Sequence, residues 1–268
     1  MKNSVLAVLC LLGTMSAYSA VAAESASAAA SNTKANAALS ATPALSSDAA
    51  PTNVATSEVK MEQRQLLLAD VASYTATGDV EKLKVALAAA IDAGVTGNEL
   101  RDGLEQLYAY CGFPRSLTAL GVLLQLVNER NAAGNPVNMG REATPLPADA
   151  NFHTMGTEVQ TRIAGGPVKG PLFDFSPNID RYLKDHLFGA IFSSDLLSDT
   201  DREVLTVAAL ASLPAPSQLR SHIGISLNVG WTPEQLQVLA KHLETLLGRA
   251  AGADVPKALS EVVASRAK

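Results

Sequence analysis

The sequence contains the same helix–stop–helix pattern twice, 136 residues apart. In each copy a stretch with an apolar 3.6-residue period ends at a glycine, and a threonine two residues later opens a second such stretch. Because glycine commonly ends a helix and threonine caps the start of one, each copy predicts two consecutive helices. The matched residues, which together predict a tandem duplication, are Leu83/Leu219, Lys84/Arg220, Gly94/Gly230, Thr96/Thr232 and Leu100/Leu236.

A further periodic stretch precedes each pattern, "RQLLLADVASY" from Arg64 and "REVLTVAALAS" from Arg202, and the two align with a gap of two residues. Strand-like alternation is nearly absent, and aromatic residues make up only 4% of the chain. We therefore predict an all-α protein in which two helical repeats, 58–134 and 176–268, pack together as a pseudo-dimer. The segment 135–175 is rich in Gly, Pro and Asn, which predicts an irregular connection that wraps over a neighbour or covers a pocket.

The first 57 residues are predicted to lie outside the folded part. Residues 1–23 have one lysine, an apolar run and then small residues, which is typical of a secretory signal peptide. Residues 24–57 consist almost entirely of small and polar residues that cannot offset the entropy cost of ordering, so we expect a disordered tether. The leader therefore predicts export to the periplasm. We expect no stable membrane anchor, because the apolar run is shorter than a membrane span.

Charge and cysteine content exclude several classes of function. The chain has a formal net charge of −5 and no basic run, so nucleic acid is not an expected partner. Its four histidines show no metal-ligand spacing with one another or with Cys111, so neither a metal nor another cofactor is expected. Without the leader only Cys111 remains, which excludes an intramolecular disulfide.

His222 and Glu203 are the candidate catalytic residues. His222 shares an apolar helical stripe with Ser226 and is alanine in the first repeat, where Glu203 aligns with a glutamine. Only the second repeat therefore carries an acid–imidazole pair suited to proton transfer. Two structural explanations stay open: the helix dipole favours an acid near a helix start, and His222 could pack in the core and bond to Ser226.

Helix geometry argues against direct contact between these two side chains. Measured from a turn centred near Ala215, Glu203 would lie roughly 18 Å along its helix and His222 roughly 10 Å along the next. The two would be level only if the helices cross steeply, or if water or another side chain bridges them.

The segment "SDTDREVLTVAALASLPAPSQLRSHIGISLNVGWTPEQLQVLAKHL" resembles the carboxymuconolactone decarboxylase family, which has a Ser-capped "RE" helix, a "QL..H" helix and a "G-T-E" entry to the next. The first repeat resembles the same family through "AGVTGNELRDGLEQLYAYCGFPRSLTAL" and its Tyr110-x-Gly112-x-Pro114 turn. This resemblance implies an all-helical, oligomeric protein. It also implies acid–base roles for Glu203 and His222.

The related alkylhydroperoxidase D type uses a Cys-x-x-Cys pair, whose positions fall here on Ala215 and Gln218. A dithiol peroxidase needs both thiols, so that mechanism is absent at this position. Cys111 is a possible reactive thiol or a small core residue. Tyr108, Tyr110 and Ser226 are possible pocket-lining residues, although two tyrosines on one helix could equally serve packing.

Three functions remain. The first is an exported lactone decarboxylase or isomerase acting on a small lactone or carboxylated substrate with His222 as acid or base. The second is a thiol-dependent hydroperoxidase, of peroxiredoxin type, that uses Cys111. The third is a non-catalytic binding module of the cell envelope, and in each case we expect a homo-oligomer.

Overall fold

A computed structural model describes residues 61–267 of the 268-residue chain. The described part consists of eleven α-helices and one π-helix and contains no strand, which confirms the all-α prediction. None of its helices has an apolar stretch long enough to cross a membrane. The predicted signal peptide at 1–23 and the predicted tether at 24–57 lie outside the described residues.

The first repeat forms four helices, α1 (Gln63–Thr77), α2 (Val80–Asp92), α3 (Gly97–Cys111) and α4 (Phe113–Ala132). The predicted stop between α2 and α3 is Gly94, whose φ of 92° is a conformation that favours glycine. Thr96 then begins α3 with a capping box, because its hydroxyl accepts from the Glu99 N–H and the Glu99 carboxylate accepts from the Thr96 N–H.

The connection contains more helix than its composition indicated. It includes α5 (Phe152–Ala164) and α6 (Pro171–Phe175), so the expectation of an irregular segment over 135–175 was wrong there. Asn151 caps the start of α5 by accepting from the Thr154 N–H, and Gly165, with φ 76°, ends it. The residue types that suggested a loop are therefore helix caps.

A short α7 (Pro177–Tyr182) leads into a π-helix (Leu183–Ile191) that packs closely against α5. Glycines at the crossing permit this approach, because a Cβ at Gly156 would collide with the backbone oxygen of Lys184 and one at Gly189 with that of Phe152. The two helices bury a separate small apolar cluster, which consists of Ile163, Leu187, Phe188 and Phe192. This cluster also contacts Tyr110 of α3 and apolar residues of the second repeat.

The second repeat forms α8 (Asp199–Ala211), α9 (Pro216–Asn228), α10 (Pro233–Leu247) and α11 (Arg249–Arg266). Helices α9 and α10 begin and end 136 residues after α2 and α3, so the structure confirms the predicted duplication. The stop at Gly230, with φ 114°, and the capping box of Thr232 with Gln235 repeat the features seen at Gly94 and Thr96.

The two repeats pack through α1 and α8, which lie against each other. Helix α3 contacts α8, and α10 contacts α1 in the corresponding way, which is the relation expected of a pseudo-dimer. A single apolar core draws residues from all eight helices of the two repeats. Every residue of α8 from Asp201 to Ala211 is buried, so α8 is a central helix on which any polar side chain needs a partner.

Candidate active site

Glu203 lies inside the protein on the central helix α8, with 1% of its surface exposed. It is the fifth residue of α8, whereas Asp199 and Asp201 supply the acidic residues of the first turn. The helix dipole acts mainly within the first turn, so it accounts for these aspartates and not for Glu203. A carboxylate buried this far costs free energy unless another group bonds to it.

His222 of α9 supplies that bond, since its Nδ1 lies 2.9 Å from Oε2 of Glu203. The expectation that the two side chains would not reach each other directly was wrong. The turn is asymmetric: Ser212 to Ala215 separate the helices, and Glu203 lies eight residues before the end of α8 while His222 lies six residues after the start of α9. At about 1.5 Å per residue the two therefore differ in level by roughly 3 Å, which side chains can span.

The geometry of the pair fixes which ring nitrogen is available. An ionised carboxylate accepts hydrogen bonds only, so Nδ1 carries the hydrogen when the ring is neutral and Nε2 carries the free electron pair. Within residues 61–267, Nε2 of His222 has no hydrogen-bond partner. This nitrogen is not fully buried. Since 11% of the His222 side chain is exposed, the ring is held at Nδ1 and remains partly accessible elsewhere.

Tyr110 comes from the first repeat and completes this cluster. Its ring meets the His222 ring edge-on, with centroids 5.3 Å apart and planes at 84°. Burial, with a smaller contribution from the charge of Glu203, raises the pKa of Tyr110 far above its ordinary value. The phenol is therefore protonated at every pH at which the protein would work. Tyr110 is a possible pocket-lining residue by sequence, and the structure places its ring against His222.

Tyr108 and Ser226 do not join the cluster in this way. The Tyr108 ring stacks on Phe113 with centroids 4.3 Å apart and tilts against His186 at 5.4 Å, which gives it neighbours other than His222. The Ser226 hydroxyl is buried and donates to the backbone oxygen of His222 at 2.7 Å. Ser226 thus bonds within its own helix and does not bond to the imidazole.

Cys111 lies at the end of α3 in an environment that does not activate it. Its Sγ donates to the backbone oxygen of Leu107 at 3.1 Å. Burial raises the pKa of this thiol, and the nearby charge of Arg115 only partly opposes that effect. Because the thiolate is the nucleophile, a raised pKa reduces the reactive fraction at neutral pH.

Arg202 is a buried residue that the sequence analysis missed as part of the site. It precedes Glu203 on α8, has no exposed surface, and donates to Asp102 Oδ2 at 2.7 Å and to Gln106 Oε1 at 2.8 Å. Both partners belong to α3, so this ion pair joins the repeats beside the candidate site. The available signal was an arginine within the apolar periodicity of α8, where a solvated residue would not be expected.

Only one of the two repeats keeps the acid–imidazole pair. In the first repeat the residues aligned with Glu203 and His222 are Gln65 and Ala86. The residue of α10 that corresponds to Tyr110 at the 136-residue offset is Leu246. The pseudo-symmetric position therefore lacks all three side chains.

A groove of about 630 Å³ between α9 and α11 is separate from this cluster. Arg220, Glu261 and Arg266 line it. On a helix Arg220 is two positions from His222 and so points to the opposite side of α9. The groove therefore does not give access to the imidazole.

The family model described as "Carboxymuconolactone decarboxylase family" matches residues 48–125 and 177–261, one match in each repeat and together more than half of the chain. No curated protein gives a significant match.

Proposed function

The chain belongs to the carboxymuconolactone decarboxylase family, and we propose that it is an enzyme that moves a proton at a carbon beside a carbonyl group. The proposed substrate is a small lactone or another small carboxylated molecule. The observation that carries the proposal is the 2.9 Å contact between His222 Nδ1 and Glu203 Oε2, which orients a free Nε2. Membership of the family supports the reaction class, since the family includes lactone decarboxylases.

The proposed chemistry uses the imidazole in both directions. In an isomerisation, Nε2 takes a proton from the carbon beside the carbonyl and the resulting imidazolium returns it to another carbon of the same molecule. In a decarboxylation, Nε2 first takes up a proton from solvent, the electron pair of the C–C bond stays on the substrate carbon as CO₂ leaves, and the imidazolium then gives its proton to that carbon. Glu203 stabilises the imidazolium in either case, and such acid–base catalysis contributes typically about 10²–10⁴-fold in rate.

Access to the ring is proposed to come from the beginning of α9. Gln218 lies one helical turn before His222 on the same face and is exposed. Side chains on a helix point toward its N-terminus, so the open part of the His222 ring leads toward Gln218. A small ligand would approach along this side of the helix.

A thiol-dependent hydroperoxidase has less support. Ala215 and Gln218 occupy the positions of the two cysteines in the resembling peroxidase type, and Cys111 has a raised pKa with no base bonded to it in residues 61–267. A non-catalytic binding module would be supported by a His222 bonded only to backbone. The contact of its ring with Glu203 instead favours catalysis.

Export and self-association remain part of the proposal. The composition of residues 1–23 supports export to the periplasm. Three apolar side chains on the outer side of α4 support a homo-oligomer, since 60–63% of the surface of Phe113, Leu117 and Leu124 is exposed. Sedimentation of the protein, with Leu117→Lys as the disrupting variant, would test the second point.

The experiment that tests the function is a substrate screen with two histidine variants. Unsaturated five- and six-membered lactones that carry a carboxylate are incubated with residues 24–268, and proton NMR and CO₂ release report the products. His242→Asn is the matched control, because His242 also bonds to a carboxylate, Asp70, at 2.5 Å, away from Glu203. We expect His222→Asn to lose at least about 100-fold of the rate and His242→Asn to keep it. Equal rates in the wild type and His222→Asn would refute the proposal.

A further inference from the structure

Tyr110 is the one aromatic ring in the described residues that meets His222, and it belongs to the other repeat. Its ring is partly exposed, but its hydroxyl has no accessible surface. The hydroxyl is thus aimed inward, toward α8, and a buried hydroxyl normally finds a hydrogen-bond partner.

Two fully buried polar atoms of this cluster have no partner within residues 61–267. They are the Tyr110 hydroxyl and Oε1 of Glu203, the carboxylate oxygen that His222 does not use. One is a donor and the other is an acceptor, and a buried polar group without a partner is unfavourable. Both side chains contact the His222 ring, Tyr110 edge-on with ring centroids 5.3 Å apart and Glu203 through the 2.9 Å contact of Oε2 with Nδ1.

We propose that Tyr110 is a positioning residue for the second repeat's site, because its hydroxyl donates to a single water that in turn donates to Glu203 Oε1. The carboxylate is then held at both oxygens, by His222 on one and by Tyr110, through the water, on the other. Held in this way, Glu203 keeps the Nδ1–H tautomer of His222 and leaves Nε2 as the base. This inference rests on the proposed function, because it assumes that the Nδ1–H tautomer is the form of His222 that acts as the base.

Such an arrangement makes the duplication part of the site. The second repeat supplies Glu203 and His222, whereas the first repeat supplies the tyrosine. The corresponding residue of α10 is Leu246, which has no hydroxyl, and the position corresponding to Glu203 is Gln65.

Thr206 is the competing partner for the Tyr110 hydroxyl. Its Oγ1 lies near the phenol and lowers the pKa of Tyr110, although burial raises it more. Thr206 already donates to the backbone oxygen of Arg202 at 2.9 Å and accepts from Gln106 at 2.9 Å. A phenol bonded only to Thr206 would leave Glu203 Oε1 without a donor, so the two arrangements can be distinguished.

The test is nitrogen-15 NMR of the His222 imidazole in the wild type, Tyr110→Phe and Tyr108→Phe. Both variants remove one hydroxyl from α3 and keep the ring, and His222→Asn assigns the signals. At a pH where the ring is neutral, we expect the wild type and Tyr108→Phe to show the Nδ1–H tautomer. We expect Tyr110→Phe to show a mixture of tautomers, with exchange of the Nδ1 proton about tenfold faster, as for the loss of one hydrogen bond to a charged group.

Each outcome decides a separate point. Identical spectra and exchange rates in Tyr110→Phe and Tyr108→Phe would overturn the positioning role while leaving the proposed function intact. Absence of the Nδ1–H tautomer in the wild type would instead count against the proposed function. If Tyr110→Phe does not fold, an atomic-resolution crystal structure of the wild type replaces it. A single water bonded to both the Tyr110 hydroxyl and Glu203 Oε1 is the expected result, and a hydroxyl bonded to Thr206 alone overturns the inference.

Discussion

Oε2 of Glu203 and Nδ1 of His222 lie 2.9 Å apart, although the two residues are 19 positions apart in the chain and on different helices. The contact depends on the asymmetric turn at Ser212–Ala215, which brings the two positions to nearly the same level. The Glu203–His222 contact is buried and is absent from the first repeat. It differs in this from an ordinary surface ion pair, which contributes little to stability.

Glu203→Gln tests the carboxylate without changing the size of the side chain. Glutamine can still accept from His222 Nδ1 but cannot stabilise an imidazolium by charge, so we expect kcat to fall about 100-fold or more while the helical content is retained. Steady-state kinetics and circular dichroism on the same preparation measure both. A Glu203→Gln enzyme with wild-type kcat would show that the charge has no part in the reaction.

Arg202→Met tests the buried ion pair that joins the repeats. The substitution leaves Asp102 buried without its partner, and we expect the free energy of unfolding in urea at neutral pH to fall by about 3–5 kcal/mol. Replacing Asp102 by leucine in the same protein should restore part of this loss. Arg220→Met is the control, since Arg220 is half exposed and lies 3.6 Å from Glu261, and it should change stability little. Equal stabilities of the two arginine variants would contradict the structural role of Arg202.

Glu99 predicts a pH-dependent contribution to stability. Partial burial raises its pKa, but hydrogen bonds from Thr96 and Arg64 outweigh that effect, so the net pKa is below the ordinary 4.5. A lowered pKa in the folded state stabilises the protein above pH 4.5, and the contribution disappears as the pH falls through the lowered value. Glu99→Gln should thus cost roughly 1 kcal/mol or less at neutral pH and nothing in strong acid, because the group is partly solvated.

Urea unfolding of the wild type and Glu99→Gln across this range measures the effect. Glutamine is a reasonable replacement since Gln235 occupies the same capping-box position in the second repeat. A stability difference that stays constant from neutral pH to strong acid would show that the carboxylate charge is not involved.

Cys111 tests the thiol alternative. Burial raises the pKa of its thiol above the ordinary 9.0, so alkylation by iodoacetamide near neutral pH should be slower than alkylation of glutathione and should accelerate as the pH rises. Mass spectrometry follows the modification, and turnover of the fully alkylated protein should persist. Fast alkylation at neutral pH, with activity lost in proportion to the modified fraction, would favour a reactive thiol.

The repeats and their boundaries could be predicted because they depend on local signals. Gly94 and Gly230 end helices, and Thr96 and Thr232 begin them, through interactions within four residues. The same reasoning fails at Asn151 and Gly165, where the composition predicts a loop and the structure has the cap and the stop of α5. Composition alone does not distinguish a short capped helix from a loop of the same residues.

The site could be predicted only in part, because its partners come from distant segments. The alignment of the repeats singled out Glu203 and His222 since it compares positions and needs no coordinates. The packing of α3 against α8 decides that Tyr110 faces His222 and that Arg202 pairs with Asp102. No local signal in the sequence encodes that packing.

Deuterium incorporation tests most directly whether His222 transfers protons to and from a substrate carbon. A carboxylated unsaturated lactone is incubated in D₂O with the wild type, His222→Asn and His242→Asn, and proton NMR follows loss of the signal at the carbon beside the carbonyl. We expect rapid exchange with the wild type and His242→Asn, and exchange at the uncatalysed rate with His222→Asn. Exchange of equal rate with and without the His222 imidazole would contradict it.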